Sequence, residues 1–220
     1  RRFTYVLNSL GLTSDDTVTL YLSMSPDLVI SMLSCARLGI KHNVVFAGFS
    51  AESLAARIEA SSSKLVITSD GFFRKGKILE LKRIVDKALE ISSTCKNVFV
   101  FDRGVSSPQM KLSRDAWIKD LLPTFDELEE ENLKNFSSEH PLFMLYTSGS
   151  TGEPKGLVHT SGGYLLSVAM SSYYLFNLNE KDIFWCTADI GWITGHNYVV
   201  YGPLSLGSTV VMYEGAPFEP

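Results

Sequence analysis

The chain has 220 residues, of which 45% are hydrophobic and 20% charged, and its formal net charge at pH 7 is −4. These values are typical of a globular protein with a buried core, and the acidic balance without a long basic run argues against nucleic-acid partners. The cysteines Cys35, Cys95 and Cys186 lie far apart without metal-ligand spacing, so we expect free thiols and no protein metal site.

The first residues, Arg1-Arg2-Phe3, include neither an initiator methionine nor a signal-like apolar stretch. We expect a cytoplasmic protein, with a nuclear or mitochondrial location left open because the native N-terminus is not seen. The uncharged stretch 160–179 is long enough to test as a membrane span, but its serines, glycines and asparagines are too polar for one. A buried helix and no membrane partner are predicted instead.

Short β-branched runs alternate with helical patterns along the first half of the chain, which is typical of a parallel sheet with crossover helices. The predicted elements are strand 17–22, helix 26–38 with proline in its first turn, strand 43–46, a helix from the cap Ser50 to about residue 60, strand 64–68, helix 78–91 and strand 97–101. We interpret this half as one doubly wound α/β unit.

Residues 103–138 interrupt the alternation, with few β-branched residues and an acidic patch at 126–131. A Thr124…Glu127 capping box and the local pattern predict an excursion with two short helices. The alternation then resumes: strand 141–147, a short strand at 157–158, a helix to residue 176, strand 182–187, a loop and helix, and strand 208–213. We predict a first α/β subdomain at residues 1–140, with the excursion, and the start of a second at residues 141–220.

The loop between two predicted strands reads Tyr146-Thr147-Ser148-Gly149-Ser150-Thr151-Gly152-Glu153-Pro154-Lys155-Gly156. Its glycines let backbone N–H groups turn towards an anion, its hydroxyls are neutral donors, and Lys155 adds a charge on a flexible stem. This combination suits a polyphosphate. It is not the common phosphate loop, because no Gly-Lys-Ser/Thr triplet opens a helix.

This loop resembles the phosphate-binding signature of the adenylate-forming enzymes, the superfamily of acyl-CoA synthetases, luciferases and peptide synthetases. A second block, Thr187-Ala188-Asp189-Ile190-Gly191-Trp192-Ile193-Thr194-Gly195-His196, is similar to the acetyl-CoA synthetase (acetate–CoA ligase) branch. Segments 46–50, 70–77, 201–204 and 213–215 resemble that branch as well. The resemblance implies an α/β fold with parallel-rich sheets and crossover helices, a fragment of the layered N-terminal domain of these enzymes.

The resemblance also implies the reaction. ATP would activate acetate, or a similar short-chain carboxylate, to an acyl-adenylate with release of pyrophosphate. Coenzyme A would then form acetyl-CoA and AMP. Mg²⁺ would accompany ATP, and a C-terminal domain of the same chain would supply further groups, so residues 1–220 alone are expected to be inactive. No protein nucleophile is needed, and His159 and His196 are expected to be hydrogen-bonding residues and not catalytic bases.

Residue roles follow from the same resemblance. Thr147 and Lys155 would act in catalysis, and the ATP phosphates would be bound by Ser148, Gly149, Ser150, Thr151 and Gly152. Coenzyme A would bind at Gly48, Arg74 and Lys77, although the family usually has arginine at the position of Lys77. Trp192, Ile193 and Thr194 would line the acid pocket. Thr194 favours acetate, because propionate-preferring relatives tend to have valine there.

Four alternatives remain at this point. The first two keep the same scaffold: a non-catalytic nucleotide-binding or interaction protein, and a propionate-preferring synthetase. A nucleotide triphosphatase or kinase is a rival of a different class, which the missing lysine triplet disfavours. A dinucleotide oxidoreductase lacks its glycine fingerprint, since Ser23-Met24-Ser25 follows the first strand.

Overall fold

The computed structural model describes residues 1–123, 134–147 and 154–215. The helices are α1 (Arg2–Ser9), α2 (Pro26–Leu38), α3 (Ala51–Ala60), α4 (Leu81–Ile91), α5 (Ile118–Leu121), α6 (Ser161–Phe176), α7 (Ile193–Gly195), a π-helix (His196–Tyr201) and α8 (Gly202–Ser205). The strands are β1 (Thr17–Tyr21), β2 (Lys41–Val44), β3 (Leu65–Ser69), β4 (Phe72–Arg74), β5 (Lys77–Leu79), β6 (Asn97–Phe101), β7 (Asp115–Trp117), β8 (Pro141–Thr147), β9 (Lys155–Thr160), β10 (Ile183–Trp185) and β11 (Thr209–Val211).

Seven strands form one sheet in the order β7-β6-β3-β1-β2-β8-β9. Every neighbouring pair in it is parallel except β8 and β9, which form an antiparallel hairpin. A separate parallel pair consists of β10 and β11, and β4 and β5 form a small antiparallel hairpin. The predicted α/β class with a parallel-rich sheet and crossover helices is confirmed.

Helices cover both faces of the large sheet. On one face, α1, α2 and α6 contribute Leu7, Met32 and Val168 to a common core. On the other face, α3 and α4 contribute Leu54 and Val85 to a second core. Burial on both faces explains why β1 and β3 are buried along their whole length, as strands of parallel sheets usually are.

The region before α4 differs from the prediction. A helix was expected over 78–91, but residues 72–79 form the β4–β5 hairpin and α4 begins at Leu81. Lys75 and Gly76 at the hairpin tip both have positive φ, 53° and 67°, which is the conformation that two-residue hairpin turns require. The predicted helix therefore began too early, because residues 78 and 79 belong to β5, which the turn pairs with β4.

The excursion at 103–138 contributes a strand to the sheet. The described part contains β7, which pairs with the edge of β6, and one short helix, α5. The prediction of two short helices stays a prediction, because residues 124–133 lie outside the described ranges. The fully buried Lys82 of α4 joins β7 to the fold, because its Nζ lies 2.7 Å from Asp86 Oδ1 and 2.8 Å from Asp115 Oδ2. The predicted Thr124…Glu127 capping box and the acidic patch lie outside the described residues.

The stretch 160–179 contains a helix, but one that is largely exposed. The helix predicted in the stretch 160–179 is confirmed as α6, but its predicted burial is wrong: among its residues only Val168 and Ser172 are buried, and Leu175 is 73% exposed. The helix packs along one side only, against the β8–β9 hairpin, the π-helix and α8. No helix in the described residues has the length and apolar character needed to cross a bilayer.

The large sheet runs across the expected subdomain boundary at residue 140, because β8 pairs with β2 through His42↔Phe143 and Asn43↔Met144. The β10–β11 pair, in contrast, lies wholly within the expected second subdomain. The division at residue 140 stays a prediction. Helix α1 was not predicted at all, and it packs on α2.

Candidate functional site

The two ends of the expected phosphate loop are held together by the β8–β9 hairpin. Thr147 is the last residue of β8 and pairs with Lys155, the first residue of β9. Both residues are exposed, so their side chains are free to meet a ligand. The expected phosphate-binding residues Ser148, Gly149, Ser150, Thr151 and Gly152 lie outside the described residues.

An aromatic wall stands beside this hairpin. It consists of Phe46, Phe49 and Trp192, and we call it the aromatic wall below. The Trp192 ring lies 6.0 Å from the Phe46 ring and 6.3 Å from the Phe49 ring, centroid to centroid. Phe46 and Phe49 meet edge-on at 5.6 Å. Tilted and edge-on arrangements are those that aromatic rings prefer, so the wall is a packed unit although Trp192 is 51% exposed.

A cavity lies on each side of the aromatic wall, and Phe46 and Trp192 line both cavities. The larger cavity has a volume of about 250 Å³. It is lined by Met24, Phe46, Ala47, Phe72, Arg74, Trp185, Cys186, Thr187, Asp189, Trp192, Tyr213 and Gly215. The smaller cavity, of about 40 Å³, is lined by Val44, Phe46, Phe49, Arg57, Leu145, Tyr146, Gly191 and Trp192. The first residue of the expected phosphate loop and the indole of the expected acid pocket therefore share one cleft.

Two guanidinium groups pack on the wall. Arg74 lies over the Phe46 ring at 4.9 Å, and Arg57 of α3 lies over the Phe49 ring at 4.5 Å. Arg57 also faces the ring of Tyr146 at 5.9 Å and donates to the Ser53 carbonyl at 2.7 Å. Burial lowers the pKa of Arg57 from its ordinary value. Cation–π packing of this kind fixes the arginines and the rings together.

The other sequence-predicted residues lie around this centre. A side chain on Gly48 would collide with Arg74 and Phe46, so this glycine permits the close approach of the two. Lys77 is exposed and pairs with Arg74 across the β4–β5 hairpin. Ile193 and Thr194 are exposed at the start of α7 and line neither cavity. The structure thus brings Arg74 and Trp192 together in one cavity, with Lys77 beside it.

Asp189 is the acidic residue that lines the larger cavity, and it was assigned no role in the sequence analysis. Its Oδ1 accepts the Gly191 N–H at 2.7 Å, and its backbone carbonyl accepts the Trp192 N–H at 3.1 Å. Burial raises the pKa of the Asp189 carboxyl, while the hydrogen bond from Gly191 and the charge of Arg74 oppose that rise. Gly195 packs directly on the Asp189 carbonyl, where a Cβ would lie 2.1 Å from the oxygen.

The buried residues His196, His42 and Tyr201 form a polar cluster, in which His196 contacts the backbone of Trp192. The backbone N–H of His196 donates to the Trp192 carbonyl at 3.1 Å, and His196 Nδ1 lies 3.3 Å from the same oxygen. His196 is fully buried, and burial lowers its pKa to about 4. His42, also buried, contacts the Tyr201 hydroxyl at 3.1 Å, and burial lowers its pKa well below the usual value. Both imidazoles are therefore neutral at pH 7.

Sequence reasoning missed Arg57 and Asp189. Arg57 belongs to no local motif, and only the fold brings it to the aromatic wall. Asp189 lies inside the block 187–196, but the roles implied for that block were limited to Trp192, Ile193 and Thr194. Among the described residues, no group of three or more histidine, cysteine, aspartate or glutamate side chains could hold a metal ion. Chemically, the site offers an apolar cleft with two cations and one carboxylate, beside an exposed lysine on a hairpin.

The chain is similar to known proteins in sequence and in fold. A family model described as AMP-binding enzyme matches residues 1–220. An acetyl-coenzyme A synthetase of Rhodopirellula baltica is 51% identical over 97% of this chain and 32% of its own length. Another of Pyrobaculum arsenaticum is 50% identical over 96% of this chain and 32% of its own length. The solved structure of acetoacetyl-CoA synthetase from Streptomyces lividans matches with a TM-score of 0.87 and 26% identity, over 99% of this chain and 32% of that one.

Proposed function

Because the chain belongs to the AMP-binding enzyme family, we propose that the full-length protein is an acetate–CoA ligase that forms AMP. The two acetyl-coenzyme A synthetases described above are named for this activity, and residues 1–220 span about a third of their length. In the proposed reaction, the acetate carboxylate attacks the α-phosphorus of MgATP in line, and pyrophosphate leaves. Coenzyme A then attacks the acetyl-adenylate and expels AMP.

The observation that carries this proposal is the cleft shared by Tyr146 and Trp192. It supports a site in which the phosphate hairpin and the acid-binding wall act on one small substrate. The barrier of the first step comes from charge on the departing pyrophosphate and from in-line alignment. Lys155 and Thr147, with donors from residues 148–152, would oppose that charge. MgATP is a substrate in this scheme, and its metal would be held by phosphate oxygens.

The wall would select the acid. We infer that Trp192 limits its chain length, with Ile193 and Thr194 beside it, and that Gly48, Arg74 and Lys77 receive the nucleotide end of coenzyme A. Arg74 at the larger cavity supports this division, since a guanidinium suits a phosphate. One methylene changes binding in an apolar pocket by only ~1–3 kcal/mol, so some propionate activity is expected.

The test is acetate-dependent exchange of labelled pyrophosphate into ATP by the full-length chain, followed by identification of the nucleotide product. We expect exchange, and AMP as the product when coenzyme A is added. ADP and phosphate would favour the triphosphatase or kinase alternative. ATP binding without exchange for any short acid would favour the non-catalytic alternative, and higher kcat/KM for propionate would favour the propionate-preferring one.

A further inference from the structure

In the proposed second step, the attack of coenzyme A on acetyl-adenylate, some group must take the proton of the thiol. A thiol is a weak nucleophile until it loses its proton, and with the ordinary cysteine pKa of about 8.5 only ~3% is thiolate at pH 7. The cations near the wall, Arg57 and Arg74, cannot accept a proton. A carboxylate at the point where coenzyme A approaches the acyl group could accept the thiol proton.

Asp189 is placed for that task. It lines the larger cavity, which also contains Arg74 and is closed on one side by Trp192. A coenzyme whose phosphates lie at Arg74 and whose thiol reaches the acid beside Trp192 must pass through this cavity. The carboxylate of Asp189 lies along that path.

The hydrogen bonds of Asp189 leave one oxygen available. Oδ1 is occupied by the Gly191 N–H at 2.7 Å, which fixes the orientation of the carboxylate. Among the described residues, no donor bonds to Oδ2, and this atom is not one of the fully buried oxygens without a partner. Oδ2 is therefore both accessible and uncommitted.

We propose that Asp189 is the general base of the thioester-forming step, an inference that rests on the proposed function. As the sulfur attacks the acyl carbon, the S–H bond breaks and its proton passes to Asp189 Oδ2. The new C–S bond replaces the bond from the acyl carbon to the phosphate oxygen. AMP leaves with that electron pair as a phosphate oxyanion, and Asp189 later releases the proton to water.

The surroundings suit a base. Burial keeps the carboxyl pKa above its ordinary value, which brings it nearer to neutral pH than an exposed aspartate. The other titratable side chains that line the cavity are Arg74, Cys186 and Tyr213, and the neighbouring His196 is buried and neutral. The charge of Arg74 lowers the pKa of Asp189 and so favours the carboxylate, which is the form that accepts a proton.

The test separates the two half-reactions in the full-length chain carrying Asp189→Asn. Asparagine keeps the shape and the acceptor for the Gly191 N–H but cannot take the proton. We expect pyrophosphate exchange, and capture of acetyl-adenylate by hydroxylamine, to remain within about 2-fold of wild type. Acetyl transfer to coenzyme A should fall by up to about 30-fold at pH 7 and by less than about 2-fold at pH 9, where the thiol ionises unaided.

Asp182→Asn is the matched control, because Asp182 lies at the other end of β10, outside the cavity, and its carboxylate accepts hydrogen bonds from Asn179 in its own turn. Unchanged or faster transfer in Asp189→Asn at pH 7, or an equal loss at pH 7 and pH 9, would overturn the inference. If wild type makes no acetyl-adenylate, the proposed function fails first and the inference falls with it.

Should Asp189→Asn fail to fold, the pH profile of acetyl transfer by wild type decides. The ordinary pKa of a thiol is about 8.5. If a protein base with a lower pKa takes the thiol proton, the rate of acetyl transfer should stay nearly constant from about pH 6.5 to about pH 8. Transfer that relies on thiolate from solution rises about tenfold per pH unit over the same range and would overturn the inference.

Discussion

The guanidinium of Arg74 occupies the space that a side chain at Gly48 would need. A Cβ on Gly48 would lie 2.1 Å from Arg74 Nη1 and 2.4 Å from the Phe46 ring. The absence of a side chain at Gly48 therefore leaves room for the Arg74 guanidinium and for its packing over the Phe46 ring at 4.9 Å.

Gly48→Ala tests this relationship. The added methyl group must displace Arg74 from the Phe46 ring, so we expect the KM for coenzyme A to rise by about 10-fold, the scale of one lost charge-assisted contact. Pyrophosphate exchange, which needs no coenzyme A, should change by less than about 2-fold. Gly163→Ala is the control, because nothing lies within 4 Å of a Cβ there. An unaltered KM would remove Gly48 from the coenzyme site.

Lys155→Ala tests the hairpin. Loss of the lysine charge should slow acetate-dependent exchange by at least ~10-fold, since one charge-assisted contact to the departing pyrophosphate disappears. The exposed Lys181 provides a control substitution to alanine with the same change in net charge. Equal exchange rates in the two variants would exclude the hairpin from the adenylation chemistry.

Trp192→Gly tests the wall. Removing the indole should join the two cavities and admit longer acids, so activity with butyrate should appear while activity with acetate falls. The measurement is kcat/KM for acids of two to six carbons. Rejection of butyrate by a folded Trp192→Gly variant would mean that another side chain limits the acid.

Acid should destabilise the protein through its buried imidazoles. The pKa of His196 is about 4 in the folded chain, below its ordinary value, so the unfolded chain binds more protons between about pH 6.5 and pH 4. Stability is therefore fully present above that window and falls as the pH drops through it, by on the order of 3 kcal/mol for this one group. Urea midpoints measured from pH 7.5 to 4.5 should show the fall. The loss should be smaller in His196→Phe, and equal losses would contradict the assignment.

Removing Lys82 should destabilise the edge of the large sheet. Lys82→Met removes the buried ammonium that pairs with Asp86 and Asp115, while Arg114 still pairs with both carboxylates. Breaking a buried pair typically costs about 3–5 kcal/mol, and the remaining Arg114 pairs should keep the loss at the lower end of that range. Thermal unfolding and protease sensitivity around β7 report this change. Lys87→Met, on the same helix and outside this network, is the control, and equal effects of the two substitutions would count against the network.

Local chemistry explains which elements were predictable. Helix α2 has both predicted ends, since Pro26 suits the first turn and Gly39 adopts the left-handed conformation just past the last one. Strand β8 was likewise predicted with both of its ends. The β4–β5 hairpin was missed because Lys75-Gly76 is a weak turn signal just before an apparent helical pattern. Arg57 could not have been found, because its contact with Tyr146 joins residues far apart in the sequence. Asp189 was within reach, because it lies in the highlighted block and bonds to Gly191 two residues on, but its place in the larger cavity with Arg74 depends on the fold.

Phe46 and Trp192 line two cavities at once, so a substitution that changes which acids are accepted affects both cavities. A change that widens one compartment also moves the boundary of the other. Variants selected for bulkier acids should therefore also bind coenzyme A more weakly. A compensating substitution next to Phe49 that rebuilds the wall between the two cavities should restore that binding.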